Sequence, residues 1–375
     1  MPTYTREQRA AAALELRRRQ KHQDYSRIWS PKAQNKPQHQ AYYSEADRIF
    51  YGGAAGGGKT DLLLGLAFTA HDRSIIFRRE YPQLASIEAR SREIAAGQGS
   101  YNSSPGHKKW SGLPGSRVIE FGAVQHEKDK EKYQGRPHDL IGFDELTHFT
   151  RSQFDFLTGW NRSTKLGQRC RIVCTGNPPT TPEGQWVKEY WGPWLDSDND
   201  LYPHPPGKLL WFATVSGKDV LVDGSEPFEH EGETVIPHSR TFIPASLQDN
   251  PDLAGTNYAS VLQAMPEPLR SQMLHGSFDV TPLDDPWQVI PTAWVDAAIK
   301  RWKDRENQES LSALGVDVAR GGKDETIIVR RCDNYYEPLI SFPGSATPDG
   351  SMVAAQVVEQ WRKWSAIFVY VVGVG

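Results

Sequence analysis

The sequence predicts an α/β protein organised about a phosphate-binding loop, on three observations. Gly53-Ala54-Ala55-Gly56-Gly57-Gly58-Lys59-Thr60 lies between the strand-like Arg48-Ile49-Phe50-Tyr51 and the helix-like stretch Asp61 to Phe68. The apolar run Leu140-Ile141-Gly142-Phe143 closes on the paired acids Asp144 and Glu145. A further run, Ile172-Val173-Cys174, ends in Thr175-Gly176-Asn177-Pro178-Pro179. Each is a short strand that delivers polar or small residues at its end, within a region patterned for helices and strands in turn.

The loop satisfies G-x-x-x-x-G-K-[ST]. Small residues let successive backbone N–H groups turn onto phosphate oxygens, and the following helix points its positive end at the same anion. Lys59 is then placed to reach the β- and γ-phosphates, and Thr60 to put its hydroxyl on Mg²⁺. The pattern is short, but it has the preceding strand and following helix that the motif needs. A glycine-rich surface turn would need neither.

Composition bounds the remaining choices. With 375 residues, 38% hydrophobic and 24% charged, the chain is long enough for two globular domains. A net charge of -3 excludes a uniformly basic nucleic-acid binder, though not local basic patches. Cys170, Cys174 and Cys332 cannot all pair and lack metal-ligand spacing; Cys170 and Cys174 read as thiols on one side of a strand. Reduced thiols and the absence of a long apolar run lead us to expect a soluble, intracellular protein.

Along the chain, residues 5 to 22 are rich in helix formers and carry Arg17-Arg18-Arg19, either a solvated face or a contact for DNA phosphates or a partner. Gln40, just before the first strand, is either an adenine reader, since its amide both donates and accepts, or a plain surface glutamine. Ser74 to Arg79 form a second strand ending in two arginines. Asp144 is expected to support Mg²⁺ and Glu145 to orient and deprotonate the attacking water. Thr175 and Asn177 are candidates to sense the γ-phosphate. Trp186, Trp191 and Trp194 read as packing aromatics, with a base-stacking platform as the other choice. Leu209 to Phe212 and Thr241 to Ile243 read as strands, and residues 244 to 279 as a helical subdomain bearing Tyr258, Val261 and Leu262. In Leu314-Gly315-Val316-Asp317-Val318, followed by a glycine turn and Asp324, a strand aspartate beside another either begins a two-metal site or faces solvent on a hairpin.

Taken in order, these motifs resemble those of the large terminase subunits of tailed bacteriophages. The resemblance runs from residue 37 to 330 through the loop, Phe77-Arg78-Arg79-Glu80-Tyr81-Pro82, Ile141 to Phe149, Thr175-Gly176-Asn177, Phe242 to Pro251 and Gly315 to Asp324. It implies an N-terminal linker region (1–36), a P-loop ATPase domain with a mainly parallel sheet (37–245), a helical subdomain (246–310) and a ribonuclease H-like nuclease domain (311–375). It implies ATP-driven translocation of double-stranded DNA into a procapsid, DNA cleavage, and a ring assembled with a portal protein and a small subunit in the host cytoplasm. ATP and Mg²⁺ would occupy the first site, and Mg²⁺ or Mn²⁺ the second, on Asp317 and Asp324. Arg136 is the expected arginine finger acting on a neighbouring subunit, with Arg79 as the alternative within one chain. Tyr370 stands where the family carries a metal-binding acid, so a truncated or defective nuclease is expected. The competing readings are a helicase or recombination ATPase, which lacks a later arginine motif, and a non-enzymatic remnant that keeps only an assembly contact.

Overall fold

A computed structural model describes residues 28–279, 289–303, 313–319, 321, 324–333, 335–364 and 368–373. The helix expected over residues 5 to 22, with its arginine cluster, lies outside them. The chain divides into two compact units, Met1–Asp284 and Asp285–Gly375, which are described separately.

The first unit is built on a ten-stranded sheet in the order β3-β4-β5-β2-β6-β7-β1-β12-β8-β9. Its centre is formed by β1 (Arg48–Gly53), β2 (Arg73–Arg78), β5 (Arg117–Ala123), β6 (Leu140–Phe143), β7 (Arg171–Gly176) and β12 (His238–Ala245), all pairing in parallel. Antiparallel strands flank it: β3 (Ser100–Asn102) and β4 (Lys109–Leu113) on one side, β8 (Leu210–Val215) and β9 (Lys218–Val222) on the other. The strand expected at 209–212 overlaps β8, which begins at Leu210, and the one expected at 241–243 falls within β12. A separate hairpin is formed by β10 (Phe228–His230) and β11 (Glu233–Val235).

Both faces of the central sheet are covered, so its strands are almost continuously apolar. Alternate residues sort to opposite faces. Ile49, Tyr51, Ile76, Leu140, Val173 and Ile243 join α1 (Lys36–Tyr43), α2 (Lys59–Thr69) and α3 (Leu84–Ala95) in one core cluster. Phe50, Phe77, Phe143, Cys174 and Phe242 face α4 (Arg151–Thr158), α5 (Trp186–Tyr190) and α6 (Gly192–Leu195) in the other. Trp191 and Trp194 are buried in this second cluster and Trp186 packs against it. Their indole N–H groups donate to Thr241 O, Pro205 O and Phe149 O respectively. They are packing aromatics. Cys174 is buried, but Cys170 lies just before β7 and is only half-buried, so the two do not share a strand face.

Residues beyond β12 hold α7 (Tyr258–Gln263) and a π-helical turn, Ser271–His275. Their small core gathers Leu247, Leu262, Leu253, Tyr258 and Met273 around Ala55 of the glycine-rich loop. Val261, expected on an apolar face, is 56% exposed.

The second unit contains α8 (Thr292–Lys303), β13 (Ala313–Val318), β14 (Glu325–Cys332), β15 (Tyr335–Tyr336), β16 (Ile340–Pro343), α9 (Gly350–Trp364) and β17 (Phe368–Gly373). β14 pairs antiparallel with β13, β15 and β16, while β17 returns parallel to β13 after α9. Leu314, Val316, Ile328, Cys332 and Val353 form its core. Among the described residues no helix is long and apolar enough to cross a membrane.

Candidate nucleotide site

Parallel pairing brings the carboxyl ends of β1, β2, β6, β7 and β12 to one edge of the sheet, where open α/β sheets hold their ligands. The glycine-rich loop leaves β1 there. Gly52 and Gly176 lie so close that a Cβ on Gly52 would come 2.1 Å from the Gly176 carbonyl oxygen. The ends of β1 and β7 therefore meet without side chains between them.

Side-chain donors turn the loop carbonyls outward. Asn250 donates to Gly56 O at 2.8 Å, Tyr51 to Gly57 O at 2.7 Å and Gln38 to Gly58 O at 2.9 Å. Across a planar peptide the next N–H points the opposite way, so the amides of Gly57, Gly58 and Lys59 point away from these donors. Successive amides left free in this way are what an anion nest requires. Gly53, Gly56 and Gly58 have φ of 105°, 83° and 78°, a region that residues with a Cβ avoid. Gly58 caps α2 with no side chain, so the first-turn amides lack a capping oxygen. Ala54 and Ala55 differ from expectation: their N–H groups donate to Ala245 O at 3.1 Å and Met273 O at 2.7 Å. They anchor the loop rather than face its hollow.

Lys59 folds back across the hollow. Its ammonium, in a residue only 8% exposed, donates to Ala54 O and to the Asn177 side-chain oxygen, both at 2.7 Å. Burial pushes its pKa below the ordinary lysine value, while the nearby Glu145 and Asp144 pull it back up.

Asp144 is fully buried. Its Oδ1 accepts from the Thr175 hydroxyl at 2.7 Å. Its Oδ2 accepts from the Thr60 hydroxyl at 3.1 Å and from Arg78 Nε at 2.9 Å, with Arg78 Nη2 at 2.7 Å. Thr175 therefore orients Asp144 from beneath and is not itself presented to the hollow. Glu145 adopts φ 59°, ψ 61°, uncommon for a residue with a Cβ. Its Oε2 accepts the Asn177 N–H at 3.3 Å.

The loop opens into a cleft of about 830 Å³ lined by Trp29, Asn35, Gln38, Lys59, Thr60 and Arg90 among others. Gln38 belongs to this cleft and Gln40 does not. Asn35 caps α1 by accepting from Gln38 N–H at 3.1 Å, which fixes the helix so that Gln38 faces Gly58. The exposed Gln40 instead lies against Gly207. Arg136 is likewise remote within one chain: it pairs with Glu120, stacks on Tyr133, and lines a separate cleft with Lys108, Lys109 and Lys132. Arg79 reaches Gln153. The arginine on the Asp144 carboxylate is Arg78, a residue not singled out from the sequence.

In the second unit, Asp317 is exposed on β13 and Asp324 is exposed at the bend before β14. Tyr370, opposite Gly315, is 62% exposed. Among the described residues no group of three or more His, Cys, Asp or Glu is placed to hold a metal.

A family model described as terminase large subunit, T4likevirus-type, N-terminal, matches residues 50–268, more than half of the chain. The chain belongs to the large terminase subunits. The match runs from β1, across the glycine-rich loop and the Asp144–Glu145 pair, into the segment that packs on Ala55. ATP-driven packaging of viral DNA is the function of this family and of this member of it. Several solved large terminases are also similar. One from a thermophilic bacteriophage, in complex with ADP, is 11% identical at a TM-score of 0.46, over 91% of this chain and 77% of that one. Another crystal form gives 11% and 0.45 over 92% and 78%. The large terminase of bacteriophage HK97 gives 11% and 0.40 over 92% and 70%. No curated protein sequence matches. Membership in the large terminase family rests on the family model.

Proposed function

We propose that this large terminase hydrolyses ATP at the loop of residues 53 to 60 and uses the energy to move double-stranded DNA. The supporting observation is the buried lysine that folds back onto the glycine-rich loop, with a hydroxyl and a carboxylate sharing a hydrogen bond beside it. A buried ammonium bonded only to neutral oxygens fits a site completed by an anion. The hard oxygen donors Thr60 and Asp144 fit Mg²⁺, and these two residues would hold it. When bound, Mg²⁺ offsets phosphate charge.

Lys59 then exchanges its Ala54 and Asn177 partners for phosphate oxygens. Glu145, steadied by the Asn177 amide, accepts the proton of the attacking water. Asn177 touches both Lys59 and Glu145, and so supports a role in passing the state of the site to the end of β7. Gln38, facing the cleft, replaces Gln40 as the residue proposed to read adenine.

The motor reading extends to a homo-oligomeric ring on a portal protein, loaded with a small subunit, in the bacterial cytoplasm and absent from the mature virion. In such a ring a neighbour's Arg136 is the proposed finger. The domain limits 37–245, 246–310 and 311–375 remain those we propose. An antiparallel β13–β14–β16 meander with β17 parallel to β13 supports a ribonuclease H-like last domain. Asp317, Asp324 and Tyr370 do not fit a two-metal centre, which needs several convergent acids. DNA-stimulated ATPase activity of the full chain, lost in Lys59→Ala, tests the reading; no nucleotide turnover with or without DNA would overturn it and favour an assembly remnant.

A further inference from the structure

Asp144 Oδ2 is an overcommitted atom. It accepts from Thr60 and from Arg78 Nε and is ion-paired with Arg78 Nη2 at 2.7 Å, and the Asp144 side chain is 1% exposed. Oδ1 is taken by Thr175. Oδ2, the oxygen shared with Thr60, is thus the crowded one, yet Thr60 and Asp144 are the pair that a nucleotide-borne divalent ion would approach. A guanidinium on the same oxygen offers that ion a like charge at close range. Arg78 is also near enough to Lys59 to lower its pKa, so three cations would crowd one hollow.

Backbone geometry keeps Arg78 in this position. It is the last residue of β2, which pairs with β6 immediately before Asp144, and Asp144 N–H donates to Phe77 O at 2.9 Å. The Arg78 side chain is 16% exposed, so it borders solvent.

We propose that Arg78 is a positioning residue of the hydrolytic site: its guanidinium occupies Asp144 Oδ2 in place of the nucleotide's divalent cation and leaves when that cation arrives. The inference rests on the nucleotide site described under the proposed function. Arg78 holds the carboxylate in its cation-binding rotamer between turnovers and sets a threshold of Mg²⁺ below which Asp144 stays closed.

The test titrates Mg²⁺ against the full chain in the presence of a fluorescent, non-hydrolysable ATP analogue. Arg78→Met and Arg78→Gln remove the competing charge, and the half-saturating Mg²⁺ concentration is expected to fall about tenfold or more, the size of effect that an adjacent guanidinium exerts on a carboxylate. Arg78→Lys, which keeps the charge, should titrate near wild type. An unchanged or raised half-saturation in both neutral variants overturns the proposal, as does a lysine variant that behaves like them. If neither neutral variant folds, the lysine variant decides, since loss of competition there also refutes it. Failure of the analogue to bind wild type, or binding indifferent to Lys59→Ala, refutes the nucleotide site itself and is read separately.

Discussion

Lys59 Nζ and the Asn177 side-chain oxygen lie 2.7 Å apart, while the Asn177 amide holds Glu145. One residue at the end of β7 thus touches both the proposed phosphate-binding cation and the proposed base.

Two substitutions should separate binding from chemistry. Lys59→Ala removes a charge-assisted contact and is expected to weaken ATP binding by roughly ten- to a hundredfold. Glu145→Ala should bind ATP like wild type while kcat falls by about 10²- to 10⁴-fold. Equilibrium binding and single-turnover hydrolysis check both, and an equal loss of binding in the two variants contradicts the roles.

Gly52→Ala probes the seam between β1 and β7. A methyl group 2.1 Å from the Gly176 carbonyl must push backbone apart, with an expected cost of about 3 kcal/mol or more. Thermal unfolding measures it, and a variant as stable as wild type would show that the strands can part cheaply.

Stability should fall on acidification, with His71 as one cause. Burial pushes this imidazole from 6.5 down to about 4, with Arg171 and Arg169 opposing its charge and Asp139 favouring it. Arg171 Nε donates to His71 Nε2 at 3.2 Å, so protonation there would set two donors against each other. Because the folded pKa is depressed, the unfolded chain takes up the proton first. Stability is intact above pH 6.5 and declines towards pH 4, by about 3 kcal/mol from this residue. Urea unfolding at several pH values checks the slope, which should flatten in His71→Gln.

Arg136 tests the ring. Inactive Arg136→Ala mixed with inactive Lys59→Ala should recover activity, since one subunit then supplies the arginine and its neighbour an intact loop. Recovery in no mixture would remove Arg136 from the reaction.

The second unit is expected to contribute little DNA cleavage, because Tyr370 offers a phenol where a carboxylate would be needed. Metal-dependent nicking of plasmid DNA that disappears in Asp317→Asn would refute this.

The strand ends proposed to carry the chemistry were legible in the sequence because glycine, paired acids and Thr-Gly-Asn mark them. Phase was harder to read. Gln38 and Gln40 sit about 200° apart around α1, and only the Asn35 cap determines which one meets the loop. Arg78 and Arg79 are neighbours at a strand end, where successive side chains point to opposite faces; nothing local says which face holds Asp144. β5 was missed because charged residues interrupt its apolar run. One of them, Arg117, is buried and donates to the carbonyls of His71, Thr69 and Pro114, a partnership assembled only in the folded chain.

The bond from Ala55 N–H to Met273 O makes that amide a built-in reporter. Its hydrogen exchange is slow only while the π-helical turn stays seated on the loop. Comparing its protection with and without nucleotide therefore reads, at one atom, whether the stroke of the motor begins by unseating that turn or by carrying it along.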